Sequence, residues 1–472
     1  MYRPDQASAD MLVHTVHGDV RGVAERGLYA FRGIPYATPP TGELRFQPPY
    51  PPAPWEDVRE CHSFLAIPPQ PELSLDSSVK VRQEQSEDCL HLNVYVPEKG
   101  DGGYPVMFWI FGGGFIAGTA NISLYDAPRL AAENGVIVVT SNYRVGLPGF
   151  FGDGNYGLQD QFAALRWVRE NIGAFGGDPE NITLFGESAG AISVDLLMRN
   201  PRAKGMFHRA ICQSGAMDSL RTFTVGRPEL RPNALAAAAR LLGNPAILPI
   251  NDLLEQQSKF FGWDAADKYV CTPVYDDLWC GREYCNPVPL ITGTNSNEET
   301  MFTNQVDPAG FDEWCSAIYN KVITNRIKKR YHDPNDPKAP WNAVIRYGAF
   351  VAPARRLAMA VSALNQPVYL YHFNRLAPEV QFAKRLKCYH ASEVSYVFGT
   401  PLTAPSPEDV ELSRRIRAYW ANFARTGDPN GSGLVEWPRY NSRDRRNILL
   451  DAPVGIERDY AADDCDFFDE IY

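Results

Sequence analysis

An α/β fold, with a large and mostly parallel twisted sheet flanked by helices, is predicted by three observations. Val106 to Phe111 form an unbroken apolar run between Pro105 and three glycines, as a strand buried on both faces does. Leu158, Phe162, Leu165, Val168 and Ile172 then recur at spacings of four, three, three and four, which is one face of an amphipathic helix. A fresh strand pattern, Ile182 to Phe185, follows at once. Strand, helix, strand requires a parallel crossover.

The remaining elements follow in chain order. Residues 10 to 60 alternate short strand-like pieces with Gly and Pro, as in Gly33 to Pro40 and Pro48 to Pro52, and read as an N-terminal hairpin region wrapped onto the body. Val136 to Val139 is a second buried-strand run, and Ala191 to Met198 a helix. Residues 216 to 285 are less periodic, with Ala234 to Leu242 the clearest helical stretch, and are expected to be a cap insertion over the sheet. A second cap is expected over residues 300 to 360. Strand patterns return at Val288 to Ile291 and Val368 to Phe373, and a helix at Arg414 to Thr426. With 472 residues, 44% of them hydrophobic and 22% charged, the chain can bury a large core, and residues 1 to 472 are read as one catalytic domain with these insertions.

A net charge of −10 leaves no footprint for nucleic acid and no polybasic patch for anionic lipid, so the expected partner is a small molecule. The apolar runs are strand-sized, too short to span a bilayer. Met1 to Ser8 lacks the apolar core of a secretory signal, and nine scattered cysteines do not make a dense disulfide framework. Both point to a cytoplasmic protein. Oligomeric state is not legible.

Gly186-Glu187-Ser188-Ala189-Gly190 lies between a predicted strand and a predicted helix. A serine hydroxyl is a poor nucleophile unless it is held exposed beside a base, and a G-x-S-x-G strand-to-helix elbow does that. Attack on a carbonyl puts negative charge on its oxygen. Donors must therefore already point there, and Gly113 and Gly114 after the buried strand, with Ala189 behind the serine, are the candidate amides of an oxyanion hole. The bland alternatives are an ordinary turn and a flexible glycine loop, and the strand and helix around the elbow argue against both.

In elbow hydrolases the base follows the nucleophile, which leaves His208, His332, His372 and His390. His208 precedes the strand-like Ala210-Ile211-Cys212, His332 sits in a polar turn and His372 inside a strand; His390 alone leads by a loop into an apolar segment, Val394 to Phe398. The acid should follow a strand end. Glu298 and Glu299, after Val288 to Ile291, both qualify, and residue type does not separate them.

Further segments carry a family resemblance. Phe31 to Ala37, Gly42 to Phe46, Glu87 to Val94, Phe111 to Phe115, Asn142 to Gly146, Gly157 to Gln161, Phe175 to Pro179, the elbow and Trp437-Pro438 occur in one order along the chain. So ordered, the chain resembles, over nearly its whole length, the type-B carboxylesterase and lipase family, which includes cholinesterases and bacterial para-nitrobenzyl esterases. The resemblance implies the α/β-hydrolase fold and ester hydrolysis without metal or cofactor. It implies Glu298 as the acid and His390 as the base beside Ser188, and Ser214 as a buried serine next to them. It also implies structural ion pairs Arg45 with Glu87 and Arg144 with Asp160.

Three departures qualify the resemblance. Pro68 stands where the family carries a cysteine that bridges to the position of Cys89, which leaves that disulfide in doubt, while Cys271, Cys280 and Cys285 could pair in an oxidising compartment. Residues 61 to 89 contain no tryptophan, so the family's choline cage is not expected. The stretches between Ser188, Glu298 and His390 look short, which implies a reduced cap. The expected activity is hydrolysis of a small to medium carboxylic ester or lactone. The rivals are acyl transfer to another acceptor at the same site, and a catalytically silent binding module of the kind some relatives became by losing triad residues.

Overall fold

The computed structural model describes residues 10–71, 83–100, 102–152, 154–222, 243–260, 273, 279, 281–303, 306–376, 381–400 and 405–471. The expected helix Ala234 to Leu242, the N-terminal Met1 to Ser8, and Cys271 and Cys280 lie outside the described residues.

Among the described residues thirteen strands make one sheet: β1 Met11–Thr15, β2 Gly18–Glu25, β3 Leu28–Pro35, β4 Arg59–Glu60, β5 His91–Pro97, β6 Tyr104–Ile110, β7 Ile137–Ser141, β8 Gly177–Glu187, β9 Arg209–Gln213, β10 Leu290–Asn295, β11 Val368–Phe373, β12 Arg446–Leu450 and β13 Gly455–Arg458. Their order is β1-β2-β3-β5-β7-β6-β8-β9-β10-β11-β12-β13, with β4 beside β2. The run from β7 to β12 is parallel throughout, and antiparallel pairs close both edges. In the N-terminal region β1 pairs antiparallel with β2, and β2 with β3.

The parallel strands are apolar because helices cover both faces. Every residue of β6 from Pro105 onward is buried, and the helix Tyr156–Asn171 buries Leu158, Leu165 and Val168 against the sheet. β11 has the bounds of its apolar run, Val368–Phe373, whereas β8 and β10 are longer than theirs. β8 begins at Gly177, and β10 runs through Thr292, Gly293, Thr294 and Asn295, all buried. These polar residues stay in the strand because β9 and β11 pair with it on both sides. The last large helix, Pro407–Thr426, starts a full two turns before the expected Arg414, at a capping box in which Ser406 and Asp409 satisfy each other's backbone.

Between β10 and β11 the chain is helical: Phe311–Ile318, Lys321–Arg330, Ala339–Ala343, a π-helix Val344–Val351 and Ala352–Ala363. Phe311, Trp341, Val344 and Phe468 give this part its own apolar cluster. The ion pairs Arg45–Glu87 and Arg144–Asp160 are formed, at 2.6 Å (Nε to Oε1) and 2.7 Å (Nη2 to Oδ1).

Candidate active site

The sheet delivers its functional side chains at the C-terminal ends of adjacent parallel strands, where α/β folds place their sites. Ser188 stands between β8 and the helix Ala189–Arg199 with φ 55° and ψ −123°. A serine held in this sparsely populated region marks a strained turn. Ser188 N donates to Gln213 O of the next strand at 2.8 Å, which holds the turn up. A Cβ at Gly190 would meet Ile110 O at 2.0 Å, so only glycine lets the helix start this close to β6.

The glycine loop after β6 wraps past this turn. Gly113 has φ 115°, and a Cβ there would lie 2.1 Å from Ala117 O. The loop turns back on itself as Ile116 N and Ala117 N donate to Gly113 O, at 3.1 and 3.2 Å. Behind it, Gln70 brackets Gly118 with both ends of its amide, accepting from N at 2.8 Å and donating to O at 3.0 Å. Among the described residues, the amides of Gly113, Gly114 and Ala189 have no acceptor. Phe115 turns into the core and packs edge-on against Phe150 at 5.3 Å.

His390 is buried in the loop after β11, and its Nδ1 is 2.6 Å from Glu298 Oε2. The other oxygen of Glu298 accepts from Ser214 Oγ at 2.6 Å and from Asn295 N at 2.7 Å. The carboxylate is thus fully engaged and its orientation over-determined. Glu299 points away and forms an ion pair with Arg346, Nε to Oε2 at 2.7 Å. The two neighbouring glutamates, equivalent by residue type, have separate partners. Phe350 of the π-helix and Phe302 pack on the imidazole with centroids 4.6 and 5.1 Å away. The helical stretch between β10 and β11 therefore walls one side of the histidine.

The other ring nitrogen, Nε2, faces the elbow and lies 3.0 Å from Oε1 of Glu187, the residue before Ser188. No hydrogen bond joins it to Ser188 Oγ, and the serine remains partly exposed. Burial pushes Glu187 up to about 8, against the pull of His390. For His390 burial acts downward, but the carboxylates of Glu187 and Glu298 outweigh it and raise the imidazole to about 9. Glu393, buried three residues on, accepts from Gln213 Nε2 at 3.0 Å and Asn295 Nδ2 at 2.6 Å, and burial raises it too.

Glu187, Glu393 and Gln213 were not singled out in the sequence. Their signal was position: each adjoins a site residue inside a segment already marked, but a flanking acid or amide has no pattern of its own. Of the rival histidines, His332 is exposed, His208 accepts from Ile182 N through Nδ1 at 3.1 Å, and His372 lies within β11. Among the described residues no cluster of His, Cys, Asp and Glu could hold a metal ion, and no helix is long and apolar enough to cross a membrane.

A parallel sheet with a serine elbow after β8, an acid after β10 and a histidine after β11 has the architecture of an α/β-hydrolase. A profile of the carboxylesterase family matches residues 9–468. The para-nitrobenzyl esterase of Bacillus subtilis (strain 168) is 36% identical over 483 residues, covering 95% of this chain and 96% of the relative. A medium-chain fatty acyl-CoA hydrolase precursor of Anas platyrhynchos is 34% identical over 508 residues, covering 93% and 88%. The solved structure of a PNB esterase superposes with a TM-score of 0.86 at 35% identity, covering 97% of this chain and 99% of that one. The chain belongs to the carboxylesterase family, and it is a serine carboxylesterase that hydrolyses small ester substrates.

Proposed function

We propose that Ser188 is the nucleophile of this esterase, His390 its general base and acid, and Glu298 the carboxylate that orients the histidine. The observation that carries the reading is the buried His390, bonded through Nδ1 to Glu298 at 2.6 Å with Nε2 turned toward the elbow. With Nδ1 donating to a carboxylate, Nε2 is left to accept a proton. His390 takes the Ser188 proton as Oγ attacks the ester carbonyl. The tetrahedral oxyanion is held by the amides of Gly113, Gly114 and Ala189, each contributing about 3 kcal/mol of transition-state stabilisation. The alcohol leaves with the proton from His390, and water repeats the sequence on the acyl-enzyme. Ser214 braces Glu298 and touches no substrate.

We read residues 1 to 472 as one catalytic domain, because one apolar cluster gathers buried residues from Val13 near the start to Leu450 near the end of the chain. We place the protein in the cytoplasm: Cys61, Cys89, Cys212, Cys285, Cys315, Cys388 and Cys465 are all free thiols, six of them buried, as a reducing compartment keeps them.

The test is Ser188→Ala in purified protein. Turnover of para-nitrophenyl acetate should fall about a millionfold, as triad knockouts do. A fluorophosphonate should label the unmodified enzyme once, at Ser188. Residual hydrolysis at the unmodified rate rejects the assignment.

A further inference from the structure

A chain of hydrogen bonds that the ester chemistry does not use runs into the turn before Glu298. His372 on β11 is buried, with its ring stacked on Tyr460 at 3.7 Å between centroids. Its Nδ1 is 2.9 Å from Glu457 Oε2 and its Nε2 is 2.6 Å from Ser296 Oγ. Ser296 also bonds Asn374 Oδ1, and Asn374 Nδ2 donates to Asp451 Oδ2 at 3.0 Å. Asn447 Nδ2 adds a second bond to Glu457 Oε2 at 3.2 Å. The ends of β10, β11, β12 and β13 are joined in this way.

Serine, histidine and glutamate in line have the composition of a second triad, but the hydrogens run the wrong way for a nucleophile. The carboxylate of Asp451 only accepts, so Asn374 turns its NH2 to Asp451 and its oxygen to Ser296. The one hydroxyl hydrogen of Ser296 is thereby directed at Asn374 Oδ1, with Phe373 O a longer acceptor at 3.3 Å, and is turned away from His372 Nε2. Nδ1 faces the Glu457 carboxylate at 2.9 Å. Burial raises Glu457, but the hydrogen bond and charge of His372 and the hydrogen bond from Asn447 together outweigh it and hold the carboxyl below its usual range. An oxyanion would find no donor here either, since Ser296 N and Asn297 N already donate to Phe373 O at 3.0 Å and Cys388 O at 2.9 Å.

The chain does hold the turn that carries the acid. Ser296 lies two residues before Glu298, and Asn297 between them bridges to Tyr389, the neighbour of His390. We infer that Glu457, His372, Ser296 and Asn374 form a positioning chain for the acid and base, in which His372 and Ser296 fix the turn so that Glu298 meets His390 at 2.6 Å. This rests on the roles proposed above for Glu298 and His390.

A misplacement of about 1 Å in such a constellation costs up to about a hundredfold in rate, so partial loosening in Ser296→Ala should lower kcat about tenfold. KM should change less than about twofold, because no substrate contact is lost. The pH profile separates positioning from a loss of fold. His390 is faced by Glu298, by Glu187 of the elbow and by Glu393 of its own turn, and these carboxylates raise it against burial. Loosening Glu298 removes part of that rise, so the acid limb of kcat/KM moves to lower pH. Ser296→Ala removes no ionisable side chain: the carboxylates of Glu457 and Asp451 and the phenol of Tyr460 near His372 all stay. His372→Phe keeps the stack on Tyr460, and its kcat loss should not add to that of Ser296→Ala in the double variant.

An unmoved limb in Ser296→Ala, or a kcat loss that only follows the folded fraction, overturns the inference even where His372→Phe fails to fold. Glu298→Gln distinguishes the two failures. If Glu298→Gln is fully active the site assignment is wrong, whereas a crippled Glu298→Gln beside an unaltered Ser296→Ala rejects the positioning chain alone.

Discussion

His390 Nε2 lies 3.0 Å from Glu187 Oε1, both atoms are buried, and neither has a hydrogen-bond partner among the described residues. The proposed base therefore rests, buried, against an acid one residue from the proposed nucleophile.

Replacing that acid should change the pH at which the enzyme works. His390 accepts a proton only when neutral, so kcat/KM rises with pH through its pKa, which lies above the ordinary value because Glu187, together with Glu298 and Glu393, outweighs burial. In Glu187→Gln this contribution is gone, the folded-state pKa falls, and the acid limb moves to lower pH. A limb that stays in place in a pH series on a neutral ester would contradict the prediction.

Glu298 and Glu299 should give opposite phenotypes. Glu298→Gln removes the partner of His390 Nδ1, and kcat should drop about ten-thousandfold, as for the acid of other triads. Glu299→Gln instead unpairs Arg346, a side chain 26% exposed, and should cost about 1 to 3 kcal/mol of stability with kcat per folded molecule nearly unchanged. Urea unfolding and active-site titration together distinguish these outcomes.

Gly113→Ala is expected to disable the oxyanion hole. Its φ of 115° disfavours any side chain, and the new Cβ would clash with Ala117 O. Displacing one donor of such a hole lowers kcat about a hundred- to a thousandfold. Unaltered turnover, measured at saturating ester, would remove Gly113 from the hole.

Asp160→Asn tests a residue with no catalytic role. Asp160 accepts from Arg144 N, Nε and Nη2 at 3.0, 2.8 and 2.7 Å, with both side chains buried. Breaking a buried pair leaves an uncompensated charge and costs about 3 to 5 kcal/mol. The melting temperature should fall steeply, with kcat of the surviving folded enzyme intact.

Much of this was legible locally. The apolar run at β6 and the periodic face of Leu158 to Ile172 each announce their element within a few residues, and the elbow is contiguous strand, turn and helix. β10 was read short because its second half is Thr, Gly, Thr and Asn, residues kept extended by neighbouring strands and not by their own pattern. The start of the helix Pro407–Thr426 was missed because its capping box lies outside the periodic stretch. Glu187 carries no signal of its own, because nothing around it in the chain indicates that a histidine comes to rest on it.

By itself the sequence determined the parallel sheet, the elbow serine and the glycine loop, because each follows from residues adjacent in the chain. Residue type left Glu298 and Glu299 equal and the resemblance implied Glu298; only the tertiary structure shows Glu298 against His390 Nδ1 with Glu299 on Arg346, and brings Glu187 against Nε2. Glu298 and His390 are 92 positions apart, and which of two like carboxylates reaches an imidazole depends on how the turn before it is hung from β9, β10 and β11. Residue type carries charge and reach, and the direction in which they point is a property of the folded sheet.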